Sequence, residues 1–94
     1  MFAVQGASEL GEWVGRQVVL DTAGPIVYIG TLERINREGY WLTEADVHDR
    51  NDGQASKELY VLEVSLHGIR ATRGRVFVMR TVVISASLLD EVIS

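Results

Sequence analysis

The side chains here that could do chemistry are basic, amide and aromatic rather than nucleophilic. The 94 residues include no cysteine, which excludes thiol catalysis, thiolate zinc sites and disulfides. There is no Ser-His-Asp context and no glycine-rich phosphate loop. His48 and His67 flank a polar stretch, and a metal between them would need Asp46 or Asp49 in a spacing unlike any zinc motif. The acidic pairs Glu44/Asp46 and Asp90/Glu91 read as solvated strand or tail residues. No enzyme activity, cofactor or metal is therefore expected.

What remains is charge and aromatic surface. The net charge is -4, which argues against indiscriminate binding to duplex nucleic acid. Its distribution is uneven: residues 1–47 carry three Arg against seven acids, whereas Ile69 to Arg80 holds four Arg and no acid. A local positive patch on an acidic body follows, unless those arginines pair with first-half acids within or between subunits. For Arg70, Arg73 and Arg75, solvation or ion pairing is favoured over phosphate contact. Trp13 and Trp41 read as core or interface anchors.

These side chains need a scaffold, and the spacing supplies one. Ser8 to Val14 predicts a short helix, with Ser8 as cap, Glu9 and Glu12 at its positive end, and Gly15 as its stop. Strands are predicted over 16–22, 26–36 and 40–47, with a bend or a close backbone approach at Gly30. A polar loop covers 49–55. Residues 56–67 fit a helix with Leu59, Leu62, Leu66 and Ile69 as its apolar stripe, and also fit a strand alternating from Tyr60. The stop at Gly68 favours the helix. Gly74 to Leu89 gives two strands bent near Arg80 and Thr81, with 90–93 extending or covering an edge. The apolar run from Val76 to Ile84 reads as strands buried on both faces or paired at both edges. A chain this short rarely arranges either alone, so a partner subunit is implied.

Gly30-Thr31-Leu32-Glu33-Arg34-Ile35-Asn36, followed by Gly39-Tyr40-Trp41-Leu42-Thr43-Glu44-Ala45-Asp46-Val47, resembles the first motif of the Sm-like (LSm) family, bacterial type. Val76 to Ile84 is similar to its second motif. The resemblance covers about Leu10 to Val47 and Arg73 to Ile93. Asn36 stands where the family has Asp, Gly39 or Tyr40 where it has a base-contacting Asn, and Thr81 where it has Gly.

The resemblance implies a mainly β fold: a small five-stranded bent antiparallel SH3-like/Sm-like barrel, with a short N-terminal helix and a helical insertion between strands 3 and 4. One domain would span 1–94, with the helix at 8–14 and the insertion at 49–69. It also implies a homo-oligomeric ring, with the fourth strand of one copy pairing with the fifth of the next. Two loops would meet at the pore to bind single-stranded RNA: Asn36, Arg37, Gly39 and Tyr40 from one, Arg80 and Thr81 from the other. Tyr40 would stack on a base, Asn36 would bond a base edge and Arg80 would supply a fixed cation. The structural alternative makes Asn36 and Gly39 hairpin chemistry, packs Tyr40 against the neighbours of Trp41 and pairs Arg80 with Glu38 or Asp46. The function implied is RNA binding or RNA-associated scaffolding in the cytoplasm, away from membranes. The competing function is a protein-interaction ring without RNA, using 49–69 as its partner surface.

Overall fold

The β-branched runs after Gly15 set the architecture. The computed structural model describes residues 9–52 and 55–93. Five strands, β1 (Gln17–Thr22), β2 (Ile26–Asn36), β3 (Gly39–Asp49), β4 (Arg73–Met79) and β5 (Val83–Leu88), form one antiparallel sheet in the order β4-β3-β2-β1-β5. A helix, α1 (Lys57–His67), lies between β3 and β4, and 3-10 turns follow at Arg80–Val82 and Leu89–Glu91. Residues 9–11 are helical and lead into β1; the expected cap, Ser8, lies outside the described residues. Among the described residues no helix is long and apolar enough to cross a membrane.

Strand alternation sends β1 and β2 side chains to two cores. Val18, Leu20, Leu32, Tyr40, Leu42, Val78 and Leu88 fill one, against Leu10 and Trp13 of the N-terminal segment. Val19, Val27, Ile29, Val64 and Leu89 form the other, beneath α1 and the C-terminal turn. β2 is therefore covered on both faces from Val27 to Leu32, as its composition requires.

Gly30 marks the bend. The register passes from Ile29↔Asp46 to Thr31↔Thr43, so Glu44 and Ala45 together oppose one residue of β2. Glu44 takes φ 47° to form this bulge. A methyl on Gly30 would lie 2.9 Å from the Ala45 Cβ and 3.2 Å from the Thr43 carbonyl oxygen, so only glycine admits so close an approach. A second shift, from Leu32↔Leu42 to Arg34↔Trp41, inserts Glu33 into β2 and curls the sheet further.

The segment between β3 and β4 is helical, and its ends are those the sequence marks. The Ser56 side chain accepts from the Leu59 N–H, and the Gly68 N–H donates to the Val64 carbonyl. Its buried face is not the leucine stripe. Val64 is buried with Tyr60, Val61 and Ile69 against it, whereas Leu59 and Leu66 are 48% and 59% exposed. Polar contacts choose that face. Tyr60 Oη donates to Asp46, its ring stacks on His48 at 4.3 Å, and Lys57 Nζ bonds Asp21 Oδ1 at 2.7 Å and the Thr22 carbonyl.

The apolar run from Val76 to Ile84 is not buried on both faces. β4 buries only Val78 and β5 only Leu88, because the two strands lie at opposite ends of the sheet and each pairs on one side. Met79, Val82 and Ile84 stay exposed.

Candidate nucleic-acid interface

The β2–β3 turn is built by Asn36. Its Oδ1 accepts from the backbone N–H groups of Glu38 (2.8 Å) and Gly39 (3.0 Å), a local side-chain turn that fixes the hairpin. Gly39 then passes under β4: a methyl there would come 2.2 Å from the Val78 carbonyl oxygen, 2.9 Å from Phe77 Cζ and 3.1 Å from the Arg80 nitrogen. Opposite, the turn after β4 is drawn in by Arg80 N–H donating to the Glu38 carbonyl at 2.8 Å. Two turns far apart in sequence are thus clasped by one backbone hydrogen bond.

Two cavities open at this clasp. One of about 390 Å³ is lined by Arg37, Glu38, Phe77, Met79, Arg80 and Thr81. The other, about 820 Å³, runs between the turn and the N-terminal segment, past Leu10, Val14, Ile35 and Arg37. Arg37 and Arg80 line both. Among the described residues neither makes an ion pair, so their charge is available to an anion.

Of the six candidate residues, Arg37, Arg80 and Thr81 meet at the smaller cavity. Asn36 has its oxygen committed to the turn, which leaves its amide NH2 group, and it lies on the side of the larger cavity. Gly39 works as a spacer beneath Val78. Tyr40 is 8% exposed and packs in the core, and the little of it that stays accessible lines the larger cavity beside Ile35 and Arg80. The aromatic group at the smaller cavity is instead Phe77, with Met79 beside it. Alternation along β4 was the signal available in the sequence: with Val76 and Val78 inward, Phe77 and Met79 face the other way.

Arg80 makes a backbone bond to Glu38 but no ion pair with Glu38 or Asp46. Asp46 is held elsewhere, accepting from Tyr60 Oη and, at 2.7 Å, from Thr72 Oγ1. Burial, with the Asp46 hydrogen bond and charge added, holds the Tyr60 phenol well above the usual tyrosine range. His48 Nε2 lies 3.0 Å from the Ala55 carbonyl. Among the described residues no three His, Cys, Asp or Glu side chains gather as a metal site. Arg75 bonds Glu33 at 2.9 Å and lies 3.9 Å over the Trp41 ring.

No family model matches the sequence, and no curated protein matches it. Among solved structures it is similar to the Pyrococcus abyssii Sm protein in complex with a uridine heptamer. The TM-score is 0.59 over 87% of this chain and 94% of that one, at 10% identity. The fold is Sm-like. Five bent strands follow a short N-terminal helical segment, and α1 lies between β3 and β4.

Proposed function

We propose that this chain is a bacterial-type Sm-like protein that closes a homo-oligomeric ring and binds single-stranded RNA in the cytoplasm. The observation that carries the ring is the sheet order. β4 and β5 are the two ends of the sheet, and among the described residues neither has a partner on its outer side. Open edges bearing exposed Met79 on β4 and Ile84 on β5 invite pairing with another copy, and rotation about a shared axis closes such pairing without loose ends. The RNA half is supported by unpaired Arg37 and Arg80 beside Phe77, in a cleft of a size suited to a small planar group. The uridine heptamer on the structurally similar Sm protein gives the class of ligand to try first.

Native mass measurement and light scattering at micromolar concentration test the ring, and a stable monomer removes it. Anisotropy titrations with short uridine-rich and adenine-rich RNAs across a salt series test the other half. Affinity should fall with log salt at about −0.7 per phosphate contacted, and no binding at low salt removes it. One observation favours the competing reading, a protein-interaction ring: Leu59 and Leu66 face outward on α1 with nothing over them among the described residues. A ring that forms but ignores RNA would leave that reading standing.

A further inference from the structure

Beyond the cleft, the aromatic surface continues. Phe77 Cζ lies over Gly39, the Phe77 ring packs on Trp41 with centroids 4.9 Å apart at 54°, and Arg75 sits 3.9 Å over the indole. Trp41 and Phe77 are register partners on β3 and β4, so they share the sheet face that Tyr40 and Val78 do not use. Arg34, exposed and in register with Trp41, adds a second cation. Neither ring is fully buried, and neither belongs to the two cores. The outer end of this face meets the smaller cavity, because Phe77 lines both.

We infer that this face is a second contact for single-stranded nucleic acid, one that the strand reaches on leaving the cleft. A base stacks against Trp41 and its Arg75 lid, and Arg34 neutralises the adjacent phosphate. The reasoning is chemical. Every base has a π face, aromatic rings and guanidinium planes take such faces without regard to sequence, and cations beside them select a polyanion over an apolar peptide. Charge complementarity supports this occupant: Ile69 to Arg80, which includes all of β4, carries four Arg and no acid. Glu33 is the one carboxylate bonded there, and it orients Arg75 by accepting from Nε. The inference rests on the RNA reading above, since the cleft delivers the strand to this face.

The test uses the full chain carrying Trp13→Phe, so that Trp41 alone reports. Oligouridylates of increasing length are titrated while RNA anisotropy and Trp41 emission are followed together, with tripolyphosphate as a base-free control. Stacking predicts quenching by the longer RNAs and none by tripolyphosphate. Arg75→Gln and, independently, Trp41→Leu should weaken the longer RNAs about tenfold and leave the shortest unchanged. RNA that binds by anisotropy while emission stays constant, with Arg75→Gln matching the parent at every length, overturns the inference and spares the cleft. Emission that follows protein concentration rather than RNA assigns the face to a second copy and overturns it also. If anisotropy never changes, both readings fall together.

Discussion

Gly39→Ala is the sharpest probe of the clasp. An added methyl would lie 2.2 Å from the Val78 carbonyl oxygen, and real contacts of that kind do not fall below 3.0 Å. Phe77 can swing its ring aside, but the Val78 carbonyl oxygen and the Arg80 nitrogen are backbone, so no rotamer change relieves them and β4 must retreat from the β2–β3 turn. That retreat carries the Arg80 nitrogen, now 2.8 Å from the Glu38 carbonyl, toward or past the roughly 3.5 Å at which the bond is lost. Overpacking of this kind costs about 1–3 kcal/mol and the hydrogen bond about 1 more, giving about 2–4 kcal/mol in all. A domain of this size holds only about 5–14 kcal/mol, and its midpoint should fall by on the order of 10–25 °C. Gly74→Ala in β4 is the control. Nothing lies within 4 Å of its added methyl, so it should change stability by less than about 0.5 kcal/mol.

Thermal and urea unfolding followed by circular dichroism give both numbers. RNA anisotropy at a temperature where Gly39→Ala remains folded then separates the two roles of the residue. If the clasp sets the spacing of Arg37 and Arg80, affinity should drop about tenfold even in fully folded protein, because displaced cations no longer meet one phosphate group together. A Gly39→Ala protein as stable as Gly74→Ala, or one that loses stability but binds RNA unchanged, would refute this reasoning.

Ile84→Asp should leave the fold intact, since Ile84 is 64% exposed in the single chain, yet it should shift the sedimentation profile from ring to monomer if β5 is a seam. Val64→Ala should cost about 2 kcal/mol in urea unfolding and Leu66→Ala less than about 0.5, because α1 buries the first and exposes the second; the reverse order would put the other face of α1 on the sheet. Tyr60→Phe should cost about 1–2 kcal/mol by leaving Asp46 only its Thr72 partner. The same phenol sets a pH dependence: with the folded-state value raised above the ordinary 10.0, stability is fully present below pH 10 and declines above it as the unfolded chain ionises first. Tyr60→Phe should flatten that alkaline decline, and an unchanged slope would show that Tyr60 does not cause it.

The sequence made the element order legible because its signals were local. β-branched runs marked five strands, Gly30 marked the bend, and Ser56 with Gly68 marked the ends of α1. What it hid was orientation. Leu59, Leu62 and Leu66 make the more regular apolar stripe, but Tyr60, Val61 and Val64 face the sheet. Hydrophobic spacing could not foresee that, because Tyr60 is anchored by Asp46 and His48, fourteen and twelve residues earlier on β3.

The same distinction explains the site. Asn36, Arg37, Arg80 and Thr81 lie at turns, whose positions follow from the strand boundaries. Tyr40 lies inside a strand, and its side chain follows the pleat. One residue of parity decides whether an aromatic side chain in a strand stacks on a ligand or fills a core. From the turn at 37 and 38, β3 sends Tyr40 and Leu42 inward and Trp41 outward, and pairing with β4 puts Phe77 beside Trp41. On the outer face of the sheet at this end of the molecule the aromatic side chains are Trp41 and Phe77. A Tyr40→Phe variant, which keeps the buried ring and removes only its hydroxyl, should leave RNA affinity within about twofold of the parent; a loss of tenfold or more would mean that the ring turns out of the core to meet the strand.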